Sequence, residues 1–370
     1  MVRLAGDSTD RGDGGPRRPR VAGSAPSSTT PTPTPTPSAT ASVSPLPSPP
    51  PTAPAALTFL RGTRVVTRSL GSDVEHPVVD LHTADVAASS TSAWLAYVAP
   101  KKGSSPGNGD FVRRPELHLL NLESGADVDV GPGFDPLWKA DGSEVAYVAA
   151  SRSRTCDAEN CSGTVRVMVV SPGAPPRQLT AFGRLHLLAW AGDRLLVSDD
   201  ADLEHTMSVA SDGSGAAALP VPPSKIWDAS PDGAILLTVV PGRVTFMDLV
   251  GGRPTGTPTS FAMAGGILGD GSWSADPGRV AGVVRKRNGS SVMVLLSPQH
   301  GLVPVPGSAG AMANVVWDPS AARFAFVAVD GSHRARLRTV VCRMINDTKA
   351  SCKPWFSWSQ GVALLKLSPS

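Results

Sequence analysis

From Phe134 to Ala150 the chain reads FDPLWKADGSEVAYVAA. An apolar approach ends at a tryptophan, an Asp-Gly turn follows, and apolar residues then recur with the period of a buried strand. The pattern returns along the chain. Aligned on Trp138, LLAWAGDRLLVSD sets Trp190 in that place, DASPDGAILLTVV sets Ala229 and GSWSADPGRVAGVV sets Trp273. NVVWDPSAARFAFVA sets Trp317, WFSWSQGVALLKL sets Trp358, and a degraded first copy, DVAASSTSAWLAYVA, sets Ala88. The spacings are 50, 52, 39, 44, 44 and 41 residues, and a period of about 45 is the signature of a repeat architecture.

Each full copy continues into a second apolar run, such as ELHLLNL, TVRVMVV or SVMVLLS, and then into turns rich in Gly, Pro and Asp before a short last strand. That makes four strands per repeat. Asp-Gly suits the tight turn because both residues tolerate positive φ, and the tryptophan supplies a large flat surface for a neighbouring sheet. One such sheet cannot bury both faces alone, so copies must stack, and a closed ring removes the unpaired ends. The fold expected is an all-β β-propeller of seven four-stranded blades spanning residues 57–370. Six blades follow instead if WFSWSQGVALLKL only extends the sixth. In the seven-bladed reading the last copy stops after two strands, at Leu367, and LTFLRGTRVVTRSL with VEHPVVDL completes its blade from the N-terminal side.

The repeats resemble those of the TolB-type propeller family, in which each blade carries a WSPDG-like turn before an apolar strand. Ser230-Pro231-Asp232-Gly233 matches that turn, Ala140-Asp141-Gly142 nearly so, and Ser208 to Ser214 resembles a second family signature, a strand leading into a DG turn. Turns at Gly192-Asp193, Asp276-Pro277-Gly278 and Pro319-Ser320 depart from it. The resemblance implies fold and says little about activity; the helical N-terminal domain of TolB has no counterpart, so a role in the Tol system is not implied.

Composition refines this picture. With 37 Gly and 36 Pro in 370 residues, short strands and turns are favoured over helices. Net charge is +3, which supplies no field for nucleic acid or an anionic membrane. Residues 1–56 read as a disordered tail: Ser24 to Ala56 holds 11 Pro and no charge, cannot bury a core, and at about 3.1 Å per residue reaches about 100 Å as a polyproline-type stalk. No stretch is long and apolar enough to span a bilayer. The basic N-terminus, RRPR included, has no apolar segment behind it, so no signal peptide is recognised.

The four cysteines fall into local pairs, Cys156–Cys161 in the second copy and Cys342–Cys352 in the sixth. Both pairs are expected as disulfides, which points to an extracytoplasmic compartment. That expectation runs against the missing signal, and a cytoplasmic protein with ordinary thiols is the alternative.

No catalytic constellation assembles. Gly103-Ser104-Ser105-Pro106-Gly107 fits G-x-S-x-G without the strand-to-helix corner that a nucleophile elbow needs. Ser274 to Gly278 resembles a sialidase Asp-box, itself a structural turn. Tyr97 and Tyr147 occupy the core position of Phe326, and the seven His lack ligand spacing, with His118 a strand residue. Arg334, Arg336 and Arg338 alternate along one outer strand, as a solvated edge would. Propellers bind at the channel mouth, where inner strands begin, and counting three or four residues back from the tryptophan position gives Asp135, His186, Asp270 and Asn314. The expectation is a non-enzymatic, monomeric, extracytoplasmic interaction or sensing module on a Pro/Thr stalk. It needs no cofactor and no metal, and it takes a protein or small ligand at those four residues. A hydrolase or lyase at the same mouth is the alternative.

Overall fold

The computed structural model describes residues 55–81, 83, 85–100, 115–150, 164–263, 266–276, 278–329, 336–358 and 362–368. Its strands form seven four-stranded antiparallel sheets. The first blade comprises Val86–Ala88, Trp94–Pro100, Pro115–Asn121 and Asp127–Pro132; the second, Phe134–Trp138, Val145–Ala150, Val165–Val170 and Arg177–Gln178. The third comprises Leu185–Ala191, Arg194–Asp199, Asp202–Ala210 and Ala217–Leu219; the fourth, Ile226–Ala229, Ile235–Val240, Arg243–Val250 and Arg253–Ala262. The fifth comprises Gly266–Trp273, Val280–Lys286, Ser291–Ser297 and Gly301–Pro304; the sixth, Ala311–Trp317, Arg323–Val329, Leu337–Asn346 and Lys349–Trp358. In the seventh, Val362–Leu367 is followed outward by Ala56–Arg61, Arg64–Ser69 and Glu75–Asp80. The innermost strands neighbour one another around a ring that closes from Val362–Leu367 back to Val86–Ala88. The molecule is a seven-bladed β-propeller.

The second strand of each blade shows why the sheets stack. Successive side chains point to opposite faces, and both faces are covered by neighbours, so these strands are apolar at nearly every position. In Arg323–Val329 the residues Phe324, Phe326 and Ala328 join Val283, Met293 and Leu295 of the fifth blade. The intervening Ala325 and Val327 meet Leu57, Phe59 and Val66 of the seventh. Leu95 and Tyr97 of the first blade meet Leu60 and Val65 across the closure. Tyr97 and Tyr147 are core, as the repeat alignment requires.

The tryptophans add a directional contact. The indole Nε1 of Trp138, Trp190 and Trp317 donates to the carbonyls of Ala87, Leu137 and Ser272 respectively, 2.9 Å each time. Each acceptor immediately precedes the tryptophan position of the preceding blade. Such a bond contributes about 1 kcal/mol net and costs more if the buried carbonyl is left alone. In the fourth blade, where Ala229 stands in the repeat position, Trp227 donates in the other direction, to Gly269 O at 2.8 Å.

The turns lock blade to blade. Ser230 is fully buried, its hydroxyl donates to Asp232 Oδ1 at 2.6 Å, and Ile235 N donates to Ser230 Oγ at 2.8 Å. Gly233, at φ +74°, lies so close to the third blade that a Cβ there would meet Ala191 C and O at 2.6 Å.

Two expectations need correction. Trp358 does not sit in an innermost strand: it ends Lys349–Trp358, which pairs with Leu337–Asn346 as the outermost strand of the sixth blade. The C-terminus therefore gives the seventh blade one strand, Val362–Leu367, paired with Ala56–Arg61, and the N-terminal side gives three. The first and last strands of the propeller still share that sheet. The arginine row is also broken, since the strand begins at Leu337, after Arg336; Arg334 lies outside the described residues.

Cys342 and Cys352 face each other across the two outer strands of the sixth blade and form a disulfide, Cα–Cα 4.0 Å. Cys156–Cys161 and the Gly103–Gly107 motif lie outside the described residues. Ser274 closes a turn, donating to Arg279 O at 3.2 Å, so the Asp-box-like stretch is structural.

Candidate functional site at the channel mouth

The innermost strands are irregular at one level. In the second blade Phe134 pairs with Val148 and Leu137 with Ala146, so Asp135 and Pro136 together oppose Tyr147. In the fifth, Leu268 pairs with Val284 and Gly271 with Gly282, leaving Gly269 and Asp270 opposite Val283. In the sixth, Ala313 pairs with Val327 and Val316 with Ala325, leaving Asn314 and Val315 opposite Phe326. Leu188 and Trp227 are the single extra residues of the third and fourth blades. A β-bulge bends its strand and re-aims the side chain. Asp135 and Asn314 make theirs at φ +56° and +58°, a region that Asp and Asn tolerate better than other side-chain-bearing residues.

Asp270 and Asn314 share a cavity of about 420 Å³ with Trp227, Asp228, Val315 and Leu364, from the innermost strands of the fourth to seventh blades. Asp135 and His186 interact across the second and third blades, and His186 Nε2 lies 3.3 Å from Asp200 Oδ1. The four residues thus form two pairs, on two arcs of the ring.

Two carboxyls complete the mouth. Asp85, three residues before Ala88, accepts the Asp135 amide N–H; burial and then the Asp135 carboxylate push its carboxyl up to about 6. Asp228 accepts Ala229 N at 2.8 Å, and burial pushes it up to about 7. Burial likewise raises Asp135, against the attraction of His186. Asp135 keeps an exposed side and Asp228 a half-exposed one, although protein surrounds both carboxyls on their remaining sides. No lysine or arginine among the described residues holds these three carboxyls ionised. Asp85 sits at the same repeat offset as Asp135, so the count that found one reaches the other once the degraded first copy is included. Asp228 has no such signal, because the bulge at Trp227 is invisible in the sequence.

A second cluster lies on the first blade, away from the channel. Ligand atoms of Glu116, His118 and Asp129 lie within 4.8 Å of one another, beside the Tyr97 hydroxyl, which donates to Asp127 Oδ2 at 2.6 Å. His118 is thus set among acceptors, which its isolated place in the sequence does not reveal.

The molecule is therefore a seven-bladed propeller with an acidic, bulge-lined channel mouth. No family model and no curated protein matches the chain. Among solved structures it is similar to a Bacteroides fragilis protein provisionally assigned as a 6-phosphogluconolactonase, at 14% identity and TM-score 0.53, over 86% of this chain and 99% of that one. It is also similar to a prolyl endopeptidase, at 14% identity and TM-score 0.56, over 84% of this chain, which spans about half (50%) of the other's length. TolB from Acinetobacter baumannii aligns at 12% identity and TM-score 0.46, over 85% of this chain and 66% of that one. Likeness at these identities is one of fold.

Proposed function

We propose that the protein is a non-enzymatic, extracytoplasmic binding or sensing module whose channel mouth receives a positively charged group, carried by a small ligand or by a partner protein. The observation that carries this reading is that the mouth holds carboxyls on both arcs, Asp85 beside Asp135 on one and Asp228 beside Asp270 and Asn314 on the other, with no lysine or arginine among the described residues to neutralise Asp85, Asp135 or Asp228. A buried carboxyl held up in this way gains a partner and an ionised state together when a cation arrives. Asp270 and Asn314 offer further oxygens on the cavity wall. The disulfide Cys342–Cys352 supports an oxidising compartment. The TolB-like turn at Ser230–Gly233 and the Pro/Thr-rich segment fit a propeller displayed on a stalk. Among the described residues no helix is long and apolar enough to cross a membrane.

The test is thermal unfolding with calcium, guanidinium and spermidine as separate probes. At least one should raise the midpoint at pH 8, raise it less at pH 5, where protons compete, and lose its effect in Asp135→Asn/Asp270→Asn. Equal shifts in that variant, or none in the wild type, would overturn the reading.

One observation favours a second reading, a hydrolase or lyase: Asp85 near 6, beside Asp135 and His186, lies in the range suited to a general acid or base. Turnover of a panel of chromogenic esters and lactones, abolished by Asp85→Asn, would establish it. An inactive wild type would reject it.

A further inference from the structure

The outer strands of the sixth blade, Leu337–Asn346 and Lys349–Trp358, are ten residues each, whereas those of the seventh blade, Arg64–Ser69 and Glu75–Asp80, are six. On the seventh-blade side, Val341, Trp355 and Phe356 pack against its apolar cluster with Leu70. Beside that contact, the sixth-blade strands and Leu70 line a groove of about 780 Å³. Val341, Trp355 and Leu70 line its apolar part, and Ile345, 59% exposed, stands at its rim.

The groove's charge is one-sided. Arg323, Arg343 and Lys353 line it, and no carboxylate does among the described residues. Arg323 and Arg343 lie directly opposite each other in the ladder, a pairing of like charges that destabilises a sheet. Lys353 pairs with Val341, two residues from Arg343 on the same face. None of the three has an ion-pair or side-chain hydrogen-bond partner in the described structure. By contrast Arg68, on the seventh blade, is stacked on Trp355 and Phe356 and paired with Asp73. The three cations form a repulsive cluster that an anionic partner would relieve.

Lys349–Trp358 is also the free edge of its sheet. An edge strand presents unpaired backbone N–H and C=O groups, which another extended polypeptide can match. The disulfide Cys342–Cys352 ties that edge to its neighbour, and Pro354, which lacks an N–H, confines such pairing to the stretch from Lys349 to Lys353.

We propose that this groove is a docking site for an extended acidic peptide segment of a partner protein, with its carboxylates on Arg323, Arg343 and Lys353 and its apolar side chains against Val341, Ile345 and Trp355. A peptide is favoured over nucleic acid because the apolar floor and the free edge have no use for a phosphate backbone, and because three cations in one recess do not form a track. This site is separate from the channel, so either proposal can fail without the other.

The test uses the full chain and fluorescence anisotropy with a labelled peptide alternating glutamate and leucine, beside its glutamine counterpart. The acidic peptide should bind at least tenfold more tightly than the neutral one. Arg343→Glu/Lys353→Glu should lose at least tenfold in affinity for the acidic peptide and gain affinity for a lysine/leucine counterpart. Arg253→Glu, on the fourth blade, should leave binding unchanged. Because both altered side chains are exposed, circular dichroism should match the wild type, and Arg343→Gln/Lys353→Gln provides the milder variant. Equal binding of acidic and neutral peptides, or equal losses in Arg253→Glu, would overturn the proposal. So would a groove that binds single-stranded DNA or phosphatidylserine vesicles but not the acidic peptide.

Discussion

Asp228→Asn isolates the energetic cost of placing an acid in the channel wall. The substitution keeps the shape and the Oδ1 that accepts Ala229 N at 2.8 Å, and it removes only the ability to ionise. In the unfolded chain the carboxyl ionises above its ordinary 3.8, whereas in the fold burial holds the proton on to about 7. A folded value above the unfolded one means that stability falls as pH rises between the two and levels off above the higher. Each pH unit of that interval carries about 1.4 kcal/mol, which sets a ceiling of about 4 kcal/mol. The partial exposure of Asp228 relieves part of this, so the expected gain for Asp228→Asn at pH 8 is about 2 to 4 kcal/mol, shrinking to near zero at pH 4. The assay is urea denaturation of both proteins across pH 4 to 8, reading the difference in free energy of unfolding. A gain that does not change with pH, or a loss at pH 8, would refute the reasoning.

The turns and the disulfide yield further expectations. Gly233→Ala places a Cβ 2.6 Å from the Ala191 carbonyl at φ +74°, where two backbones rather than a flexible side chain must give way. The expected loss exceeds about 2 kcal/mol and is checked by thermal unfolding against Gly242→Ala, which has positive φ but open space. Reduction of Cys342–Cys352, which closes a loop of sequence separation 10, should cost about 2 to 3 kcal/mol on the chain-entropy model. Denaturation with and without reductant, alongside thiol counting, measures it.

The propeller was legible because its physics repeats. A tryptophan that covers the neighbouring sheet in four blades, a tight turn after the innermost strand and an apolar second strand buried on both faces recur along the chain. The weak first copy keeps only the apolar second strand, and Val86–Ala88 is an innermost strand although Ala88 replaces the tryptophan. The same rule misled at the C-terminus. Trp358 with the apolar run VALLKL imitates a repeat, yet the innermost strand of the closing blade holds no tryptophan, and Lys349–Trp358 completes the sixth blade. The candidate site was legible only in part for a related reason. Counting back from the tryptophans assumes regular strands, and the bulges at Trp227 and Asp135 shift which side chain meets the channel. Asp228 therefore escaped, and the charged groove escaped because it depends on the cross-strand register that sets Arg323 opposite Arg343 and Lys353 opposite Val341, which no single repeat displays.

The most direct measurement of the central claim is a crystal structure grown with the cationic probe that gives the largest thermal shift at pH 8. An ordered cation at the channel mouth, held by carboxylate oxygens of Asp85 or Asp135 on one arc or of Asp228 or Asp270 on the other, is the expected result. A mouth that holds only water, with the probe bound elsewhere on the ring, would contradict the account.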